Sequence, residues 1–527
     1  MRVEVVRNAL AVAFVGFSLC LVAAASDAPR IKTAQGKIEG KLSADGQVRA
    51  FLGIPFAQPP VGALRWKEPQ PAAKWKGVRQ AATFGSRCMQ AAVFSDMVFR
   101  DPGQSEDCLT LNVWTPAKKG HGKLPVMVWI FGGGFAAGGT SEPRQDGESL
   151  AKKGVVLVSM NYRLGIFGFF AHHELAAESP QHAAGNYGLM DQAAALRWVQ
   201  SNISAFGGDP KNVTIFGESA GSISVSAQMA SPISQGLFAH AIGESGGAFM
   251  RGNAAMLSLE ESETRDEAFA QSTFGSSTLA SLRAMSADDL LKATASRSPG
   301  TPRFWPNVDG YFLPESVAAI YAAGKQAHVP LLAGWNKDEG TNRVLAAPQP
   351  PTAASLRAMA EQRFGPQADD FLKAYSAATD EEAVRVSEDF AGDDFIAYST
   401  WAWLEAQAKS GGSPVYRYLF ELGSPGDPHH PVSMGAFHSD DIEYVFGNLD
   451  SRKGAPWRPE DYKLSQLMQT YWTNFAKTGN PNSSGLPNWP GYDAAGNWQV
   501  MHLSPEPAAA PDAHRDRYLF LQKAWAQ

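Results

Sequence analysis

Residues 212–221 read Asn-Val-Thr-Ile-Phe-Gly-Glu-Ser-Ala-Gly (NVTIFGESAG), an apolar run that breaks into a serine flanked by glycines. Val213–Phe216 is β-branched and aromatic, as expected of a strand buried on both faces. The following stretch, 220–231 (AGSISVSAQMAS), is competent to form a helix. G-x-S-x-G arises often by chance in glycine-rich chains. Between a strand and a helix, however, it is a nucleophile elbow, a tight turn that strains the serine and exposes its hydroxyl. Gly217 and Gly221 leave room for strand and helix to approach closely. Ser219 is the candidate nucleophile.

Outward from this turn, other buried strands follow the same pattern. Leu124–Phe131 (LPVMVWIF) and Val155–Arg163 (VVLVSMNYR) precede it, and VPLLAGW and PVYRYLF come later. Between them, Tyr187–Asn202 places Leu189, Ala193, Leu196 and Val199 at helical spacing. Strands alternating with helices predict an α/β fold, with a large, mostly parallel central sheet covered by helices on both faces. Near the N-terminus, IKTAQGKIEG and VRAFLGIPFA read as short strands, and a small N-terminal β-sheet is expected. No repeat, low-complexity tract or linker interrupts residues 26–527, so a single catalytic domain is expected despite the length of 527 residues.

Composition narrows the functional class. With 44% hydrophobic and 19% charged residues, the chain suits a globular protein with a large core. A formal charge of -6 gives no basic footprint for nucleic acid. Arg2 and Arg7 precede an apolar run, Ala9–Ala25, that ends in Ala23-Ala24-Ala25. This describes a cleavable signal peptide at 1–25 and an exported protein, periplasmic or secreted. The alternative is a membrane anchor, but a spanning helix needs about 20 apolar residues. No stable membrane span is expected once the signal is removed, and the oligomeric state is left open. Of three cysteines, Cys20 lies in the signal, leaving Cys88 and Cys108. In an oxidising compartment they form either a disulfide or two separate buried thiols.

The chemistry needs an oxyanion site, a base and an acid. Gly132-Gly133-Gly134 closes the first buried strand, and consecutive glycines let bare N–H groups approach a developing negative charge. The pattern is that of an HGGG-type loop with Phe131 in the histidine place. Donors are expected at Gly133, Gly134 and Ala220. The chain order Ser, acid, His leaves His429, His430, His438, His502 and His514 as candidate bases. His438, in GAFHSDDIEYVFG, lies in a polar loop suited to presenting a side chain at a cleft. Glu339, in NKDEGT, follows the strand VPLLAGW at a strand end where active-site residues gather, and Asp338 is its local rival. A histidine base must be neutral, so activity should fall below about pH 6.5 unless its pKa is shifted.

From about Ile31 to Pro490 the chain resembles the type-B carboxylesterases, the family that includes the cholinesterases. The segments that carry the resemblance include FLGIPFAQPPVGALRW, SEDCLTLNVWTP, NYRLGIFGF, GNYGLMDQ, GESAGS, NKDEGT, HSDDIEYVFG and WTNFAKTGNPN. The resemblance implies an α/β-hydrolase fold and a triad at Ser219, Glu339 and His438. It also implies an oxyanion hole at Gly133, Gly134 and Ala220, and a Cys88–Cys108 bridge. Ser245 matches a serine that hydrogen-bonds near the acid, and Glu218 a carboxylate that supports the histidine. The implied activity is hydrolysis of small-molecule carboxylic esters through an acyl-enzyme, with no metal or organic cofactor. An amidase, lactonase or thioesterase on the same triad is the nearer alternative, and a non-catalytic binding member the further one. Family members often carry His or Tyr where Phe131 stands. The segment GGAFMRG after Ser245 assigns no acyl pocket. Met97, Phe99, Phe135, Phe249, Trp305, Trp401 and Trp403 are candidates for a substrate gorge or for core packing.

Overall fold

Val126, Met127, Val128, Trp129 and Ile130 are fully buried in the middle of the molecule, as a strand covered on both faces demands. The structure is a computed structural model that describes residues 28–118, 123–295, 301–410 and 412–525. The expected signal at 1–25 lies outside these residues.

Eleven strands form the main sheet. From one edge to the other their order is Ala508–Pro511, Gln499–Leu503, Val415–Phe420, Leu331–Asn336, His240–Glu244, Gly208–Glu218, Leu124–Ile130, Val156–Met160, Thr110–Pro116, Val48–Pro55 and Lys41–Leu42. The strands from Gln499–Leu503 across to Val156–Met160 pair in parallel. Antiparallel pairs finish both edges. The sheet is therefore mixed, with a parallel centre. The stretch VRAFLGIP joins this large sheet, whereas Arg30–Lys32, Lys37–Glu39 and Val78–Gln80 form the separate small N-terminal sheet.

Helices Tyr187–Asn202 and Ala220–Ala230 pack on the parallel centre, and every residue of the second is buried. Inside the first, Asp191 accepts a two-pronged pair from buried Arg163 at 2.7 and 2.8 Å. Such a pair offsets its own desolvation only when well hydrogen-bonded. Asp191 meets that condition by also accepting the Arg163 N–H at 3.0 Å.

Cys88 and Cys108 are joined in a disulfide with Cα atoms 5.0 Å apart. Closing a loop of this length stabilises the fold by about 3 kcal/mol in the chain-entropy model. Among the described residues, no helix is long and apolar enough to cross a membrane.

Candidate active site

The parallel register brings three strand ends side by side. Gly217 pairs with Ile130 on one side and with Gly243 on the other, and Glu218 pairs with Glu244. Residues just beyond these ends therefore share one edge of the sheet, where open α/β sheets bind their ligands.

Ser219 leaves its strand with φ 55° and ψ −122°, an unusual conformation for a residue with a side chain. Its N–H donates to the Glu244 carbonyl at 2.9 Å, which helps to pin the strained turn. The flanking glycines are required by close approach. A Cβ at Gly217 would lie 2.6 Å from the Ile130 carbonyl oxygen, and one at Gly221 would collide with the same atom.

His438 reaches this serine from a loop more than 200 residues downstream. Its Nε2 lies 2.9 Å from Ser219 Oγ, and its Nδ1 lies 2.7 Å from Glu339 Oε2. The other Glu339 oxygen accepts the Ser245 hydroxyl at 2.6 Å and the Asn336 N–H at 3.1 Å. Glu218 is buried, with Oε1 3.3 Å from His438 Nε2. Asp338, the rival acid, instead accepts the Ala436 N–H at 2.8 Å. Among the other candidate bases, His430 pairs with Asp427 and His502 with Glu421, while His429 and His514 make no contact with Ser219.

Charge and burial act on these groups in opposite senses. Burial alone would lower the His438 pKa, but the Glu339 and Glu218 carboxylates outweigh it and raise it to about 9. Burial pushes Glu218 up to about 8, reinforced by Asp441 and opposed by His438.

The glycine loop stands beside the serine. Gly133 and Gly134 adopt φ 104° and 64°, and a Cβ at Gly133 would strike the Ala137 carbonyl. Their N–H groups make no hydrogen bond to a described residue. Ala220 opens its helix, so its N–H precedes the intrahelical ladder. The Phe131 side chain supports the loop by packing, and its carbonyl by a hydrogen bond. Its ring stacks on Tyr162 at 4.5 Å, and the Tyr162 hydroxyl donates to the Phe131 carbonyl at 2.8 Å.

Two further supports were not evident from motif reading. Asn336 donates its side-chain amide to the Phe437 carbonyl at 2.7 Å and to Asp441 at 3.2 Å, fixing the histidine loop to the acid's strand. Phe395 lies edge-on to the His438 ring at 5.0 Å. Of the gorge candidates, Trp401, Trp403 and Phe135 are core residues with no exposed surface. Trp401 stacks on Tyr518, and Trp403 donates to the Tyr321 hydroxyl. Met97 abuts Gly133, Phe99 lies under Arg87, and Phe249 and Trp305 line a side cavity of about 250 Å³.

A cavity of about 450 Å³ opens on Gly133 and Gly134, walled by Met89–Phe94, Leu164–Phe167 and the segments around Leu291 and Arg303. A larger one, about 680 Å³, lies at the far end of helix Ala220–Ala230, away from Ser219. Among the described residues, His172, His173 and Glu267 are spaced closely enough for a metal. However, His172 Nδ1 accepts the Glu174 N–H and its Nε2 donates to the Ser277 carbonyl, which leaves no free lone pair.

Helices packed on a sheet with a parallel centre, and a strained serine at the end of a central strand, define an α/β-hydrolase. The chain belongs to the carboxylesterase family, whose model matches residues 27–520, and it is a carboxylic-ester hydrolase. It is 38% identical to the fumonisin B1 esterase of Sphingopyxis macrogoltabida over 517 residues, covering 94% of this chain and 91% of that protein. It is 37% identical to the para-nitrobenzyl esterase of Bacillus subtilis, with 88% and 92% covered. The cocaine esterase of Homo sapiens is 36% identical, with 98% and 96% covered.

Proposed function

We propose that Ser219 is the nucleophile of this esterase, His438 its general base and Glu339 the acid that orients and stabilises the histidine. What supports the reading is the pair of hydrogen bonds made by His438, one ring nitrogen to the serine hydroxyl and the other to the glutamate. In the first step Ser219 Oγ attacks the ester carbonyl while its proton passes to His438 Nε2. The oxyanion is received by the N–H groups of Gly133, Gly134 and Ala220. The tetrahedral species expels the alcohol, which takes the proton from His438, leaving an acyl-enzyme. Water, deprotonated by the same histidine, then cleaves the acyl group from Ser219. Glu339 stays ionised throughout and holds the imidazolium as it forms. Ser245 and Asn336 hold Glu339, and Glu218 lends further negative charge to the protonated histidine.

The partner is a small-molecule ester. Residues 26–527 are proposed to act as one catalytic domain, with 1–25 directing export to the periplasm or medium. The Cys88–Cys108 disulfide agrees with an oxidising destination.

Acid-quenching the enzyme during turnover of a p-nitrophenyl ester tests the mechanism. The expected result is an acyl mass on the peptide containing Ser219. An acyl group on any other residue would overturn the assignment. An ester and an amide with the same acyl group, compared by kcat/KM, separate esterase from amidase use of the site.

A further inference from the structure

Two arginines stand at the rim of this site with no carboxylate partner among the described residues. Arg303 lines the cavity that opens on Gly133 and Gly134, and its Nη2 lies 3.9 Å from the position a Cβ would take on Gly134. Its guanidinium is held flat against Trp305, 3.5 Å from the ring centroid. Arg343 lies 4.0 Å above the ring of Phe395, and Phe395 in turn packs edge-on to His438. Neither guanidinium makes a hydrogen bond or ion pair to a described residue. The neighbouring segment 296–300, Ser-Arg-Ser-Pro-Gly, contains no acidic residue.

Most of the other described arginines pair with a carboxylate, although Arg49, Arg79, Arg197, Arg251 and Arg385 do not. Arg65, Arg163, Arg452 and Arg515, for example, each bind one carboxylate through two nitrogens. What sets Arg303 and Arg343 apart from the other arginines that have no carboxylate among the described residues is their place beside the glycine loop and Phe395. The two charges also repel each other. Desolvation in the cleft and the nearby Arg343 draw Arg303 down to about 10, where it remains cationic at neutral pH. Both side chains are exposed, and an anion between or beside them would relieve the repulsion and take the place of solvent on their N–H groups. The fork of a guanidinium matches a carboxylate in particular. Stacking on aromatic rings fixes each fork beforehand, so little side-chain freedom is lost on binding.

We infer that Arg303 and Arg343 form a carboxylate-recognising rim and that the preferred substrates are esters bearing a free carboxylate a few atoms from the scissile carbonyl. The inference rests on the proposed triad, because the rim is defined by its distance from the glycine loop and His438.

Matched ester pairs test it. The first is the 4-nitrophenyl monoester of adipic acid against the same molecule with its distal carboxyl methylated, which places the charge on the acyl side. The second is butyrate esterified to 4-hydroxybenzoate against its methyl ester, which places the charge on the alcohol side. The expected result is that kcat/KM favours the carboxylate member of at least one pair by about 10-fold or more. Replacing Arg303→Gln should lower that ratio by about 10–100-fold, the range for a lost charged hydrogen bond, chiefly through KM. Arg343→Gln should lower it in the same sense, and Arg303→Lys should restore part of it. The preference should also shrink as ionic strength rises. A wild-type ratio near one in both pairs, or a ratio unmoved by both glutamine variants, overturns the inference while Ser219-dependent turnover leaves the triad standing. Turnover that survives Ser219→Ala overturns the triad reading and the rim with it.

Discussion

The floor of the active site and the wall of its cavity are built in opposite ways. The floor is made of strand ends. Glu218, Ser245 and Glu339 are almost completely buried, and Ser219, Ser245, Phe135 and Ser439 all hold positive φ angles of 52–70°. Such conformations cost of order 1–3 kcal/mol each and persist only where the surroundings over-determine them. The sheet supplies that surplus through paired strands, buried helices and a hydrogen bond to nearly every polar atom of the triad. The wall is made of the loop Met89–Phe94, the end of helix Ala287–Ala295 and the segment Thr301–Phe304, with side chains as open as Phe94 at 42% exposure. Chemistry that tolerates no movement sits on the rigid part, and selection among substrates is left to the part that can vary.

Breaking the floor should be costly in rate and cheap in stability. Ser219→Ala is expected to lower kcat by about 10⁶-fold with the fold retained, as judged by circular dichroism and thermal melting. Activity within tenfold of wild type would remove Ser219 from the mechanism. Glu339→Gln keeps the shape but loses the charge that holds the imidazolium, and should cost about 10⁴-fold in kcat. Asp338→Asn, whose carboxylate serves only the Ala436 N–H, should cost less than about tenfold. The reverse order would move the acid.

A smaller effect sharpens the electrostatics. His438 accepts a proton only when neutral, and its pKa is raised to about 9. The kcat/KM should therefore climb with pH through neutrality, level off above about pH 9, and fall as pH drops through the histidine's pKa. This moves the loss of activity upward from the ordinary value near 6.5 that the sequence suggests. Glu218→Gln removes one of the charges that raise it, so the midpoint should shift to lower pH. A wild-type midpoint at or below 6.5, unmoved by Glu218→Gln, would mean that these carboxylates do not act on the histidine.

Changes in the wall should alter choice rather than chemistry. Leu291→Trp narrows the cavity and should lower kcat/KM for long acyl chains relative to acetate by about tenfold, measured on p-nitrophenyl esters of rising length. Equal loss across the series would place this segment in the floor instead.

The same contrast explains what could be read from the sequence. Ser219, the glycine loop and helix Tyr187–Asn202 were legible because local geometry dictates residue type: alternation on a strand, glycine where backbones touch, apolar residues at helical spacing. His438 and Glu339 stood out less from their own surroundings, since a loop imposes no period, and the family resemblance singled them out. Tyr162, Asn336 and Phe395 were not legible. Each acts through a contact with a residue distant along the chain, such as Asn336 with Phe437 across 101 positions. Trp401 and Trp403 are open in sequence to a gorge or a core role and prove to be core, because a tryptophan carries no mark of which way it faces. Arg303 and Arg343 are not legible for a related reason: a sequence does not say which arginine stands at the mouth of a site.

Active-site labelling tests the central assignment most directly. The enzyme is treated with an organophosphonate ester, and the adduct is located by mass spectrometry in wild type, Ser219→Ala and His438→Ala. The expected result is one adduct per chain on Ser219, none in Ser219→Ala, and labelling slowed by at least about 10³-fold in His438→Ala. An adduct on another residue, or labelling of Ser219 at an undiminished rate without His438, would contradict it.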